Sequence, residues 1–268
     1  MVKEVVSSEK KPNKAKIQFL IKGLSDSNGL ARRNHSKELV EIGSSALPYL
    51  INALLNSKNV IQRRAAAKTL KLVGDPSALP YLIRALTNDS DPVVQCSAAG
   101  AIAIFDESAI DHLIILLEDK ELTEMQKGLA AWCLAFIGAN APNAIKKAAQ
   151  SKNSNVKSAA ISALEEHIRK SQDQEAIELV KSSINDKAEN VQLEAIMLVG
   201  KLHIIESLIP VLISKLKSKN PDIRKASILS LMQLNIKDSL GKIKELHELE
   251  EDNNVKKIIE LAIKKINY

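Results

Sequence analysis

An all-α solenoid of about eight stacked helical hairpins is the fold predicted by three features of this 268-residue chain. A five-residue apolar word returns 32 positions after its first use, one aliphatic register recurs in every repeat, and the composition leaves little from which to build a sheet.

The word is Ala46-Leu47-Pro48-Tyr49-Leu50. It reappears as Ala78-Leu79-Pro80-Tyr81-Leu82 and weakens to Ala109-Ile110-Asp111-His112-Leu113 and Ser207-Leu208-Ile209-Pro210-Val211. Each copy opens a short apolar helix. A polar break follows, as in Asn56 to Asn59, Asn88 to Pro92, Ser151 to Asn155 and Lys217 to Asp222, and then a second, alanine-rich helical pattern. Asp, Asn, Ser and Pro supply the side-chain acceptors and the preset φ that a helix start requires. The unit is therefore helix, turn, helix.

Aligned second helices place an aliphatic residue at one register in every unit: Leu39, Leu70, Ile102, Leu134, Leu164, Val199, Leu231 and Ile263, with gaps of 30 to 35. Three residues further on, Ile42, Val73, Phe105, Ile137, Leu202, Leu234 and Ile266 continue the same face, and His167 is the exception. Four residues before the register stand Ala66, Ala98, Ala130, Ala160, Ala195 and Ser227, small enough for neighbouring helices to approach closely. His35 and Ile259 depart from this at the two ends, where capping repeats differ. A lone hairpin of this size cannot bury its apolar face, so residues 13–268 read as one solenoid domain, and residues 1–12 as a disordered polar segment. The longest gap, from Leu164 to Val199, contains Arg169 to Glu175 and reads as a slightly longer loop, with a local break in the superhelix as the alternative.

Aromatic residues form only 3% of the chain, with nine glycines and eight prolines, so the core is made of many thin aliphatic layers. No run of 18 apolar residues exists and the opening segment is charged and polar, which predicts a cytoplasmic protein with no membrane span. Cys96 and Cys133 are far apart and unaccompanied, the pattern of buried free thiols rather than of a disulfide framework or zinc site. The net charge of +6 arises mainly from lysines near both ends and favours acidic partners.

The segment Arg63-Arg64-Ala65-Ala66-Ala67-Lys68-Thr69-Leu70, followed by Gly74-Asp75-Pro76-Ser77-Ala78-Leu79-Pro80-Tyr81-Leu82, resembles the HEAT repeat in its phycobilisome-lyase-like form. The resemblance runs from about Asn13 onward and loosens toward the C-terminus, where Asn235 and Asn267 stand in place of the usual glycine. It implies a right-handed superhelix whose second helices line the concave side. For function it implies less, since the family includes adaptor scaffolds, bilin lyase subunits and chaperones of cyanobacterial light harvesting, and enzymes built on the same stack.

No catalytic residue and no metal ligand set is expected. The iron site of the HEAT-type deoxyhypusine hydroxylases takes several His-Glu pairs on successive repeats, and only His247-Glu248 has that form here. The remaining histidines, His35, His112, His167 and His203, fall in different registers. The acidic run Glu245, Glu248, Glu250, Glu251 and Asp252 lacks the glycine turn of a calcium loop and reads as a solvated helix end.

With the second helices inside, the exposed stripe beside the core register comprises Arg33, Lys37 and Val40; Arg64, Lys68 and Lys71; Cys96, Gly100 and Ala103; Gly128, Trp132 and Ala135; Ser158, Ser162 and Glu165. In one reading Arg33, Arg64 and Lys68 steer an acidic segment of a partner protein while Trp132 anchors it. In the other, Trp132 closes a gap between repeats and the cations are merely solvated. A second ladder, Arg32, Arg63, Gln95, Lys127, Lys157, Gln192, Arg224 and Lys256, occupies the first turn of each second helix and reads as structural, reaching groups such as Asp89, Asp91 and Asp222.

The chain is thus expected to be a monomeric scaffold, adaptor or assembly factor that grips another protein without a cofactor. A phycobilin lyase or lyase subunit, with a linear tetrapyrrole as transferred substrate, is the alternative that the resemblance supplies. Binding of nucleic acid through the lysines is the second alternative; it would weaken steeply with salt, and the chain offers few aromatic residues for stacking on bases.

Overall fold

The computed structural model describes residues 14–202 and 206–266. The segment 1–12, together with His203 and Asn267, lies outside them. The described residues form an all-α solenoid of helical hairpins. In chain order the hairpins are α1 (Lys14–Gly23) with α2 (Gly29–Ile42), α3 (Leu47–Asn56) with α4 (Val60–Val73), α5 (Leu79–Asn88) with α6 (Pro92–Ile102), and α7 (Glu107–Glu118) with α8 (Glu124–Ile137). They continue as α9 (Pro142–Ala148) with α10 (Ser154–Ala163), the extra helix α11 (Glu165–Ser171), α12 (Gln174–Ser183) with α13 (Glu189–Leu202), α14 (Ile209–Lys215) with α15 (Pro221–Gln233), and α16 (Leu240–Leu249) with α17 (Asn253–Ile266). Two compact units emerge: one of residues up to Ala109 with Leu122–Leu129, the other of Ile110–Glu121 and everything from Ala130 onward.

One turn, used again and again, explains why the second helices begin where they do. At Asn28, Asn59, Asp91, Asn153, Asn220 and Asp252 the side chain accepts the N–H of the residue two positions later, at 2.8 to 2.9 Å. The N–H of each cap is in turn accepted by the side chain two positions before it: Asp26, Ser57, Asp89, Ser151, Ser218 and Glu250. Both orphan ends of the loop are satisfied locally, so the interhelical break can be short.

The core follows the sequence register. Leu39, Leu70, Ile102, Leu134, Leu164, Val199 and Leu231 are fully buried, as are Ala66, Ala98, Ala130, Ala160, Ala195 and Ser227. Ile263 is only half-buried, because α17 turns Val255, Ile259, Ala262 and Ile266 inward instead. In the second unit the second helices come so close that a Cβ at Gly138 would collide with the carbonyl of Ala163, and one at Gly200 would sit 2.8 Å from Ser230 Cα. Asn235 takes the glycine's conformation at the end of α15 with φ of 53°, a region that asparagine tolerates better than most residues.

Two expectations are corrected. The long gap after Leu164 is not a looser loop: it folds as α11, ended by Gln172 at φ of 55° and fastened by Asp173, which caps α12 and also accepts from Lys146 at 3.0 Å and pairs with His167 at 2.9 Å. These partners hold the Asp173 carboxyl well below the ordinary aspartate range. The acidic run is not wholly solvated either. Glu250 is 4% exposed and receives both arms of Arg224, at 2.7 and 2.5 Å.

That pair belongs to the ladder. Arg63 donates to both oxygens of Asp89 at 2.7 and 2.9 Å, Lys157 reaches Asp186 at 2.5 Å, and Arg224 clasps Glu250. Each is a cation from one hairpin held by the turn of the next. Gln95 and Gln192, where no such pair forms, donate to the carbonyls of Asp89 and Asp186 within their own turns. Asp91 serves as a cap, and the acid that meets Arg224 is Glu250 rather than Asp222.

The fork from Arg224 holds the Glu250 carboxyl below its usual range. A carboxyl with a lowered folded-state pKa stabilises the fold above the ordinary glutamate value of about 4.3, and that contribution disappears as the pH falls through the depressed folded value. Glu250→Gln is expected to cost about 3 kcal/mol at neutral pH, since it strips a largely covered guanidinium of its counter-charge. Urea titrations at pH 7 and between pH 5 and 2 measure both effects: the cost at neutral pH, and a shallower acid loss in the variant.

Candidate functional site

The candidate residues fall into the two units and are described separately. In the first unit Arg33, Arg64 and Lys68 line one cleft of about 460 Å³ between α2 and α4, together with Arg32, Ser36, Ile61 and Leu72. Arg32 is partly committed, donating to the carbonyls of Asp26 and Ser27 at 2.6 and 2.9 Å. Arg33 and Lys68 are exposed, and the Nε of Arg64 is buried without a hydrogen-bond partner. Among the described residues no carboxylate lines this cleft. Lys37 and Lys71 lie exposed on the same two helices, outside the lining.

Helical geometry explains how neighbouring arginines come to differ so sharply. Residues 63 and 64 project about 100° apart around α4. Arg63 therefore reaches the turn of the next hairpin, while Arg64 faces α2 across the cleft. Gly100 on α6 and Gly128 on α8 have open space where a Cβ would stand, so neither is required by packing. Ala103 is buried, not exposed: the backbone tightens into a 3-10 turn over Ala103–Phe105 and swings it inward.

In the second unit Trp132 is 50% exposed, and its ring lies 5.9 Å from that of Phe136, one turn on and 56% exposed. A side chain that filled a gap between repeats would not keep half of its surface in water. Phe136 was legible as the next position along Trp132's own stripe, four residues on. Ser158 and Ser162 are half-buried, and Glu165 is tied to Lys201 and Arg169 at 2.8 and 2.7 Å. Burial pushes the Glu165 carboxyl up, but these cations outweigh it and hold it low.

A second cleft, of about 740 Å³, was not read from the sequence. Ile213, Leu216, Leu246 and Leu249 form its apolar part, and Lys217, Lys219 and Lys242 its cationic part. Leu249 is 79% exposed. The signal was a leucine at the end of α16 among acidic residues, where a solvated helix end has no use for one.

Reactive groups are not gathered into a catalytic set among the described residues. His167 Nε2 lies 3.3 Å from Ser171 Oγ and 2.9 Å from Asp173, which superficially resembles a serine triad. Both contacts use the same nitrogen, so no relay from carboxylate through imidazole to hydroxyl exists. His35 packs edge-on against Phe19 at 5.7 Å and occupies the space beside Gly23. His247 is within 3.9 Å of Glu248 and Glu260, and no described group of three or more potential ligands is placed to hold a metal. The Cys133 thiol is buried and pushed up to about 12 by desolvation, whereas Cys96 is exposed. No described helix is long and apolar enough to cross a membrane.

A family model of HEAT repeats matches residues 17–103, 47–135 and 179–264. The bilin biosynthesis protein MpeU of Synechococcus sp. (strain WH8020) is 38% identical over 263 residues, which span 97% of this chain and 89% of that protein. This chain belongs to the HEAT-repeat family, in its phycobilisome-lyase-like branch. Among solved HEAT-like folds, Kap95p aligns with a TM-score of 0.57 at 15% identity, over 95% of this chain and 41% of its own, a likeness of fold alone. The CpcE and CpcF complex of phycocyanin lyase from Nostoc sp. PCC7120 aligns over 69% of this chain and 99% of its own at 22% identity, and its TM-score of 0.34 is too low to bear on the argument.

The contrast between the two thiols gives a direct check. Native protein is expected to take up one equivalent of maleimide at neutral pH, at Cys96, and a second only in denaturant, counted by mass spectrometry. The single tryptophan is expected to emit at the long wavelengths of a wetted indole and to be quenched by iodide.

Proposed function

We propose that this HEAT-repeat protein is a bilin-handling component of phycobiliprotein assembly: a lyase or lyase subunit that holds a linear tetrapyrrole and its acceptor protein together while the bilin is attached or isomerised. The observation that carries this reading is the 38% identity to a bilin biosynthesis protein along 97% of the chain. Likeness of that extent runs along nearly the whole of both chains, which a shared fold alone does not require. The generic adaptor expected from the sequence gives way to this more specific task.

A binding surface suffices for such work. When a bilin joins a protein through a thioether, the acceptor's cysteine supplies the nucleophile, and the assisting protein contributes orientation and the exclusion of competing reactions. The buried Cys133 is poorly suited to be a nucleophile itself. The half-exposed Trp132 and Phe136 are rigid amphipathic surfaces of the kind that anchor protein partners, and we assign the acceptor protein to them. The protein acts as a single chain in the cytoplasm in this reading. A second reading, favoured by the unpaired cations of the first unit, gives their cleft to an acidic segment of the acceptor.

The test mixes purified protein with a linear tetrapyrrole, with and without the bilin-free acceptor. The expected results are a change in the visible absorbance of the tetrapyrrole on binding and faster appearance of bilin mass on the acceptor. Trp132→Ala with Phe136→Ala is expected to slow that transfer by about tenfold or more while the helical circular dichroism is retained. An unchanged spectrum together with an unaccelerated transfer would sink the reading.

A further inference from the structure

We propose that the cleft between α2 and α4 is the seat of the tetrapyrrole's propionate carboxylates, with Arg64, Arg33 and Lys68 as the residues that hold them. This inference rests on the bilin reading above and says where in the molecule the pigment is gripped.

The case starts from charge. Four cationic side chains line this cleft and, among the described residues, no carboxylate does. Like charges gathered in one concavity repel one another and focus a positive potential into it, a cost relieved when an anion enters. In the ladder of first-turn residues the arrangement is the opposite: Arg63, Arg224 and Lys157 are each matched to an acid. Arg64, one residue from Arg63, has no such partner among the described residues, and its buried Nε is left without an acceptor among them. A buried donor without an acceptor costs free energy, which a ligand oxygen placed against it would recover. The planar fork of a guanidinium matches a carboxylate, which it binds through two parallel N–H···O bonds.

The rest of the lining selects the kind of anion. Ile61 and Leu72 are exposed here, Leu72 by 62%, and the small Ala65 leaves room between them. Phosphate or a simple dicarboxylate has no use for apolar walls. A glutamate side chain ends in the same CH2–CH2–carboxylate as a propionate and would meet the cations equally well, so it is the exposed apolar wall of Ile61 and Leu72 that favours a flat apolar body over an acidic protein segment. A linear tetrapyrrole is a flat conjugated apolar body carrying two flexible propionates, and it meets both demands at once. The cleft of about 460 Å³ accommodates the propionate-bearing portion.

The experiment uses the full chain with two probes: biliverdin, which has both propionates, and its dimethyl ester, which keeps the conjugated body and loses both charges. Binding is followed by visible absorbance and by quenching of the single tryptophan. The unmodified protein is expected to bind the diacid at least about tenfold more tightly than the diester, with an affinity that weakens as salt rises. Arg64→Gln and, separately, the surface pair Arg33→Gln with Lys68→Gln are expected to weaken diacid binding by roughly tenfold each while leaving diester binding and the melting curve unchanged. Diacid binding unaffected by either variant overturns the location and leaves the bilin reading standing. A diester bound as tightly as the diacid does the same. No binding of either probe by the unmodified protein overturns both. If a glutamate-rich peptide binds through Arg64 and biliverdin does not compete with it, the cleft belongs to the acceptor protein and the proposal fails.

Discussion

Everything in this protein depends on the close approach of consecutive second helices. A hairpin of 10- and 14-residue helices, such as α3 with α4, exposes on its own a face that only a neighbour can cover. Coverage at short range requires small residues at the crossing, and Ala66, Ala98, Ala130, Ala160, Ala195 and Ser227 are all fully buried there. Where the approach is tightest, at Gly138 and Gly200, not even a methyl group fits. Side chains too large for the crossing are therefore pushed to the edges of each second helix, and those edges become the surface on which a partner can be met.

The ladder of first-turn residues completes this arrangement at its polar margin. Apolar contact alone is insensitive to a small rotation of one hairpin against the next. A two-pronged hydrogen bond from Arg63 to Asp89, or from Arg224 to Glu250, is not. Burying such ions is expensive, so these pairs contribute more to the angle between neighbouring hairpins than to net stability. The same turn of α4 that spends Arg63 on structure leaves Arg64 lining the cleft, because successive residues of a helix face different ways.

Chemistry and binding are also separated. The imidazole, serine and aspartate near α11 fasten an inserted helix and share a single nitrogen, an arrangement that suits holding and not proton transfer. The surfaces left open include a cationic cleft in the first unit and an aromatic pair in the second. In the function proposed above, the cleft serves a pigment with two carboxylates and the aromatic pair serves its acceptor protein, whose needs differ.

The repeat, the helical class and the residues of the buried register were legible in the sequence, because a stacked hairpin obeys a local rule that the chain writes out about every 32 residues. Arg33, Arg64, Lys68 and Trp132 were likewise visible as a stripe beside that register. What the register cannot express is any contact that joins residues from different repeats or departs from the period. The pairing of Arg224 with Glu250, the inward swing of Ala103, the shift of burial from Ile263 to Ala262 and the folding of α11 all depend on such contacts. Periodicity specifies which way a side chain leaves its own helix. Which neighbour it meets, and whether a charge there is answered or left free, is decided only when the hairpins are stacked.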